Sequence, residues 1–476
     1  MNQYKKLIGN IAFLTLSNFA SKILTFLLVP LYTSILSTGE YGAFDLINTI
    51  VLLCTPIFTL SIQEGILRFS LEKDADYKKI MSIGFKYGNI GTICIVLVIA
   101  LNALLKINTF LMTYSIPLFL LYLTASYGGI ISYFVRGLGE VKSLSIGSCI
   151  SVFGTILFNI LFLVVFRFGL NGYFAATILG NSVSIIYYVF RHKLWNYVSM
   201  KTRYREYEKR IVQYSSPMIA NTISWWVNGA ADRLFVTIFC GISENGIYSV
   251  AHKIPSILTT VQGIFSQAWS ISAVQDFDSE DRTGFYSNTY LIYNSMLVLI
   301  CSLAMIFNKF IAKMMFAKDF YSAWEIAPFL IISTLFSGMS GYLGGILSAL
   351  KKTDTFAKTS VLTAGVNVIL NFILVPSIGT LGASISTAVA FVIMWAERLH
   401  TVKRYVKLDI KLYKDLLGYG IIIVQASLLI IMKSEKVFSG YQFVLCFILF
   451  MLYAKDYYLI LQVILKKIKE RNGHNA

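Results

Sequence analysis

About fourteen apolar stretches, each long enough to cross roughly 30 Å of hydrocarbon at ~1.5 Å per residue, follow one another between residues 10 and 464. Stretches of that length are read as helices, because no water is available at that depth to hydrogen-bond a bare backbone. Composition points the same way. With 56% hydrophobic and 14% charged residues, the chain has too little polar surface to coat a soluble particle of 476 residues. The expected fold class is an all-α polytopic membrane protein of about fourteen transmembrane helices.

Lys and Arg fall unevenly between the alternate loops. With the N-terminal Lys5 and Lys6 placed in the cytoplasm, the loops on that side collect about 28 of the 41 basic residues and the opposite loops about 7. Both termini are then expected inside. The net charge of +17 reads as this topology signal plus attraction to anionic lipid headgroups, and no nucleic-acid partner is needed to explain it. The six cysteines stand singly in or beside apolar spans, without a CxxC pair or a histidine cluster. They support neither a disulfide framework nor a metal site. The first span lacks a small-residue cleavage site and is read as a retained helix.

The chain also repeats itself. "TGEYGAFDL" from Thr38 aligns with "ISENGIYSV" from Ile242, pairing Glu40 with Glu244, Gly42 with Gly246 and Phe44 with Tyr248. Further on, "FNILFLVVFRFGLNGYFAAT" from Phe158 aligns with "LNFILVPSIGTLGASIST" from Leu370, pairing Asn159 with Asn371, Gly169 with Gly379, Gly172 with Gly382 and Thr177 with Thr387. The expected organisation is a six-helix unit at 1–190, a basic cytoplasmic linker at 191–211, a second six-helix unit at 212–405, and two additional helices with a basic tail at 406–476. An even number of spans per unit makes the repeat parallel. Transporters built from two such halves alternate access by rocking them around a central site.

Several segments carry a family resemblance: "STGEYGAFDL" from Ser37, "EGILRFS" from Glu64, "FVRGLGEVKS" from Phe134, and the adjacent Asp232 and Arg233 followed by Gly241, Gly246, Tyr248, Ala251 and Lys253. Over roughly residues 8–405 the chain resembles the polysaccharide-biosynthesis flippases of the multidrug/oligosaccharidyl-lipid/polysaccharide exporter superfamily. The resemblance implies movement of undecaprenyl-pyrophosphate-linked oligosaccharide, of the O-antigen or capsule type, across the bacterial inner membrane. It implies membrane lipids and a polysaccharide polymerase machinery as partners, H+ or Na+ as coupling ion, and no enzymatic step, cofactor or catalytic residue.

Ionisable groups at membrane depth are expensive, so each is a functional candidate. In the first span, Asn18 and Lys22 share one polar stripe with Thr25; in the seventh, Asn228 and Asp232 share another. A lipid pyrophosphate needs cations on its path, and Lys22, Arg233 and Lys253 are the candidates, with Asn18 and Asn228 lining the same cavity. Asp232 and Arg233 point about 100° apart on a helix, so each needs a partner elsewhere. Asp232 and Glu64 are the candidates for ion coupling. Glu64 has a local alternative in Arg68, four residues on, and Asp45 is expected to snorkel. Arg68, Arg136, Glu397 and Arg398 are assigned to a cytoplasmic gate or a structural role, the last two at the interface. The rival functions are a peptidoglycan lipid-precursor flippase and a multidrug or cation antiporter of the same superfamily. An integral-membrane polymerase or ligase is disfavoured by the short outer loops.

Overall fold

The computed structural model describes residues 22, 25–199, 204–275, 278–432 and 435–457. The described residues are helical, with no strand among them. Nine of the described helices are long and apolar enough to cross a membrane, and one of these, Thr353–Lys403, breaks at Ile378 and Gly379 into two spans. The chain is a multi-pass membrane protein. It packs as two compact units, Met1–Ser249 with Ala317–Asp319, and Val250–Phe316 with Phe320–Ala476.

The first unit holds α1 (Val29–Ile35), α2 (Thr38–Phe58), α3 (Ile62–Ser70), α4 (Tyr77–Leu105), α5 (Thr109–Thr113), α6 (Ser115–Gly137), α7 (Val141–Asn159), α8 (Gly169–Arg191), α9 (Arg205–Ser215) and α10 (Met218–Cys240). The start of α2 is fixed by a capping box, in which Glu40 N donates to Ser37 Oγ at 3.2 Å and Ser37 N donates to Glu40 Oε2 at 2.8 Å. Its end departs from the single span expected at 42–66. Pro56 lies in the last turn of α2, and Leu60 and Ser61 turn left-handed with φ of 54° and 49°, so α3 sets off anew. Helix α4 leaves Ile93, Leu97, Leu101 and Leu104 between 54% and 80% exposed, an apolar face suited to lipid and not to water. Inside the expected linker, α9 packs on α3, where a Cβ on Gly65 would lie 2.7 Å from Ile211 Cγ2, and is tied to α4 where Glu208 pairs with Lys86 at 2.6 Å.

Helix α11 (Ile242–Ala251) crosses from the first unit into the second, which continues with α12 (Lys253–Gln275), α13 (Phe285–Met315), α14 (Ala323–Ala349), α15 (Thr353–Lys403), α16 (Leu412–Ile431) and α17 (Glu435–Leu452). Helix α14 is the core of this unit, buried along nearly its whole length from Ala323 to Leu347. Its glycines admit large neighbours from α12. A Cβ on Gly338 would meet Gln262 Nε2 at 2.5 Å and one on Gly345 would meet Trp269 Nε1 at 2.5 Å; these two side chains donate to Thr334 O and Tyr342 O. Small residues let helices approach closely where lipid offers no other driving force.

Two expectations about charges at span ends are corrected here. Arg398 is not interfacial: it is 1% exposed, with Nε donating to Thr359 Oγ1, Nη1 to Ser340 O and Nη2 to Ser360 Oγ, and its guanidinium lies 4.3 Å from the Phe356 ring centroid. Its neighbour Glu397 is exposed. Arg68 turns to Glu72 at 3.6 Å and not to Glu64, which lies beside the Tyr133 phenol.

Candidate functional site

The repeated loop builds the site. Gly42, in the first turn of α2, faces the start of α11. A Cβ added at Gly42 would lie 2.0 Å from Ile242 O, and one added at Gly246 would lie 2.0 Å from Thr38 O. These are equivalent positions in the two copies, so the contact has local two-fold symmetry, as isologous contacts do. Asn245 seals it by donating from Nδ2 to Gly42 O at 3.1 Å.

Three charged side chains, Asp45, Asp232 and Arg233, stand on or against the helices that make this contact. Asp45, one turn along α2, is 7% exposed and lies 3.3 Å from Arg233 Nε, with Asn245 Nδ2 at 3.5 Å. Asp232, 3% exposed, accepts from Tyr248 OH at 3.1 Å. The partner that Arg233 needs is therefore a carboxylate of α2, and Asp45 is a buried ion-pair member and not a snorkelling side chain. Helix α10 is pinned to α2 a second time where Trp226 Nε1 donates to Thr49 O at 3.1 Å.

The other sequence candidates lie as follows. Asn228 is 5% exposed on α10, its Nδ2 donating to Ser224 O at 2.9 Å. Lys22 is exposed on a helical residue, Arg136 is exposed at the end of α6, and Lys253 is half-buried at the start of α12 in the second unit. Asn18 lies outside the described residues. A cavity of about 940 Å³ opens at the starts of α2, α6 and α8, with Glu40 and Arg167 as its charged lining and Pro117, Phe174 and Leu179 among its apolar walls.

Other equivalent positions also share backbone roles. Gly169 and Gly379 both turn left-handed, with φ of 54° and 65°, at the turns that open the sixth and twelfth spans. Three residues on, a Cβ at Gly172 would crowd Phe162 O at 3.1 Å, and one at Gly382 would crowd Leu374 O at 2.4 Å. Among the described residues no group of His, Cys, Asp and Glu is placed to hold a metal ion.

The family described as polysaccharide biosynthesis protein matches residues 7–274. Among curated relatives, a probable low-salt glycan biosynthesis flippase, Agl15 of Haloferax volcanii, is 24% identical over 209 residues, and an uncharacterized membrane protein of Methanocaldococcus jannaschii is 23% identical over 217. Both matches span 42% of this chain and 43% of the relative. Among solved structures, the lipid II flippase MurJ in an inward closed conformation superposes with a TM-score of 0.65 at 14% identity, covering 94% of this chain and 99% of that one. An inward-facing multidrug resistance MATE family transporter of the MOP superfamily gives 0.60 at 14% identity, covering 83% and 96%. The fold is shared with these transporters.

Proposed function

Because the chain belongs to the polysaccharide biosynthesis protein family, we propose that it is a flippase that carries undecaprenyl-pyrophosphate-linked oligosaccharide from the cytoplasmic to the outer face of the bacterial inner membrane. The observation that carries the mechanism is the symmetric contact of Gly42 with Ile242 and of Gly246 with Thr38. In the orientation read from the basic loops, with both termini cytoplasmic, this contact lies on the outer side. With 1–190 and 212–405 as the two six-helix halves and 191–211 as their linker, alternating access would have this contact between the starts of α2 and α11 part for substrate to leave.

The site residues divide the work. Lys22 and Lys253 offer point charges to the pyrophosphate, and Asn18 and Asn228 line its path. Arg233 joins them when the outer contact opens and Asp45 moves away, its planar fork matching phosphate oxygens. Asp232 and Glu64 take the coupling ion, H+ or Na+. Arg68, Arg136 and Glu397 serve the cytoplasmic gate, and Arg398 holds α15 to α14. The sugar-polymerising machinery receives the product outside.

Purified protein in liposomes, supplied with a fluorescent lipid-linked oligosaccharide, is expected to move it between leaflets faster than protein-free vesicles. A peptidoglycan lipid precursor in a parallel arm is expected to move poorly. The reverse preference would establish the rival assignment, and no movement of either lipid would end the flippase reading. The membrane potential adds a second expected result. Each negative charge carried outward against a negative interior gains about 2.3 kcal/mol per 100 mV, so a potassium and valinomycin potential, negative on the cytoplasmic side, should speed the reaction. A rate indifferent to the sign of the potential would mean that the charges cross compensated.

A further inference from the structure

The last two helices hold a buried acid that the transport reading leaves unused. Asp415, in the first turn of α16, is 0% exposed. Its Oδ1 accepts from Asn294 Nδ2 at 2.8 Å and from Tyr453 OH at 3.2 Å. Its Oδ2 is just as deeply buried and accepts from nothing among the described residues. The adjacent ammonium does not answer it: Lys414, over the Tyr453 ring, is bonded to Asp456. The titratable groups facing Asp415 are thus Lys414 and Tyr419 on α16, Tyr453 and Asp456 after α17, and Tyr290 on α13.

Among the described residues one ammonium serves two carboxylates in this cluster. An ionised Asp415 would be a buried charge sharing its nearest ammonium with Asp456, at a cost of several kcal/mol. A metal cation could balance it but takes several oxygen ligands. Asp415 Oδ1 already serves two donors, and Asn294 Oδ1 accepts from Tyr419 OH at 2.8 Å. A proton needs one oxygen, and Oδ2 has no partner among the described residues.

We propose that Asp415 is a proton-binding site, loaded and unloaded during the working cycle of the transporter; the exchange rests on the transport reading, and the site itself does not. Loading forms an O–H bond at Oδ2 with a proton taken from water. Unloading returns that proton to water, and Lys414 then has a second carboxylate within its reach. The two helices outside the repeat thereby gain a role: they hold an acid whose charge state governs the grip of α16 on α13 and α17.

Infrared spectroscopy of the purified protein in lipid tests the site without any transport measurement. Titrated from about pH 9 to about pH 5, across the range above an ordinary carboxyl, wild type is expected to gain a protonated-carboxyl C=O band that is missing in Asp415→Asn. Asp456→Asn frees Lys414 for Asp415, which favours the ionised form, so the band should appear only at lower pH. Identical spectra for wild type and Asp415→Asn over the whole range would overturn the site. A band of Asp415 that never changes with pH would mark a permanently neutral carboxyl and overturn the exchange. Absence of lipid movement with a normally titrating band would count against the transport reading alone.

Discussion

Replacing Gly42 by alanine is expected to shift the protein away from its closed arrangement by roughly a hundredfold, as is replacing Gly246. In each case the new methyl would lie 2.0 Å from a backbone carbonyl oxygen of the other repeat copy. No rotamer change relieves a clash with backbone, so the two helix starts have to separate. Overpacking costs about 1–3 kcal/mol, a rigid obstacle puts this case near the top of that range, and about 1.4 kcal/mol is tenfold. One separation relieves both clashes, so the double variant should differ little from either single one. Spin labels at the exposed Ser34 and Ile238 would report the separation as a longer distance. Gly229→Ala is the control, since a Cβ there meets nothing within 4 Å. Unchanged distances in Gly42→Ala, or an equal change in Gly229→Ala, would remove the glycine contact as the closing element.

That contact was half legible in the sequence. Alignment of "TGEYGAFDL" with "ISENGIYSV" identified Gly42 and Gly246 as equivalent, and equivalence says nothing about touching. The hydrophobic pattern gave the all-α membrane class because apolar length alone decides it. Charge partners were harder, because they depend on residues far apart in sequence. Asp45 and Arg233 stand on helices of different repeat copies, and only their similar depth in opposite-charge positions hinted at a pair. Arg398 looks interfacial beside Glu397, yet Thr359 and Ser360, earlier in the same long helix, fold back to receive it. Lys414 and Asp415 precede the apolar run of the thirteenth span, so hydropathy alone leaves them outside it. Helix α16 begins earlier than that run, since Asn294 and Tyr453 supply the polar partners that hydropathy does not count.

Removing one member of the Asp45 and Arg233 pair is expected to destabilise the protein more than removing both. The side chains are 10% and 19% exposed, so solvent screens them little. Arg233→Gln leaves the buried Asp45 carboxylate without its guanidinium, and breaking such a pair costs about 3–5 kcal/mol. Asp45→Asn is expected to be milder, because the Arg233 side chain it leaves behind is the more exposed of the two, 19% against 10%, and its charge is better screened. The double variant has neither charge, and neutral replacement of a buried pair is often close to neutral for stability. The order of melting temperatures in detergent should therefore be wild type, then the double variant, then Asp45→Asn, then Arg233→Gln. Arg233→Lys keeps the charge and loses the planar fork, so it should lose most lipid movement while Lys22→Arg, at an exposed position, retains much of it. If instead the two single losses simply add in the double variant, Asp45 and Arg233 act independently. The guanidinium would then belong to the substrate path in every state, and the pair would have no part in holding the closed arrangement.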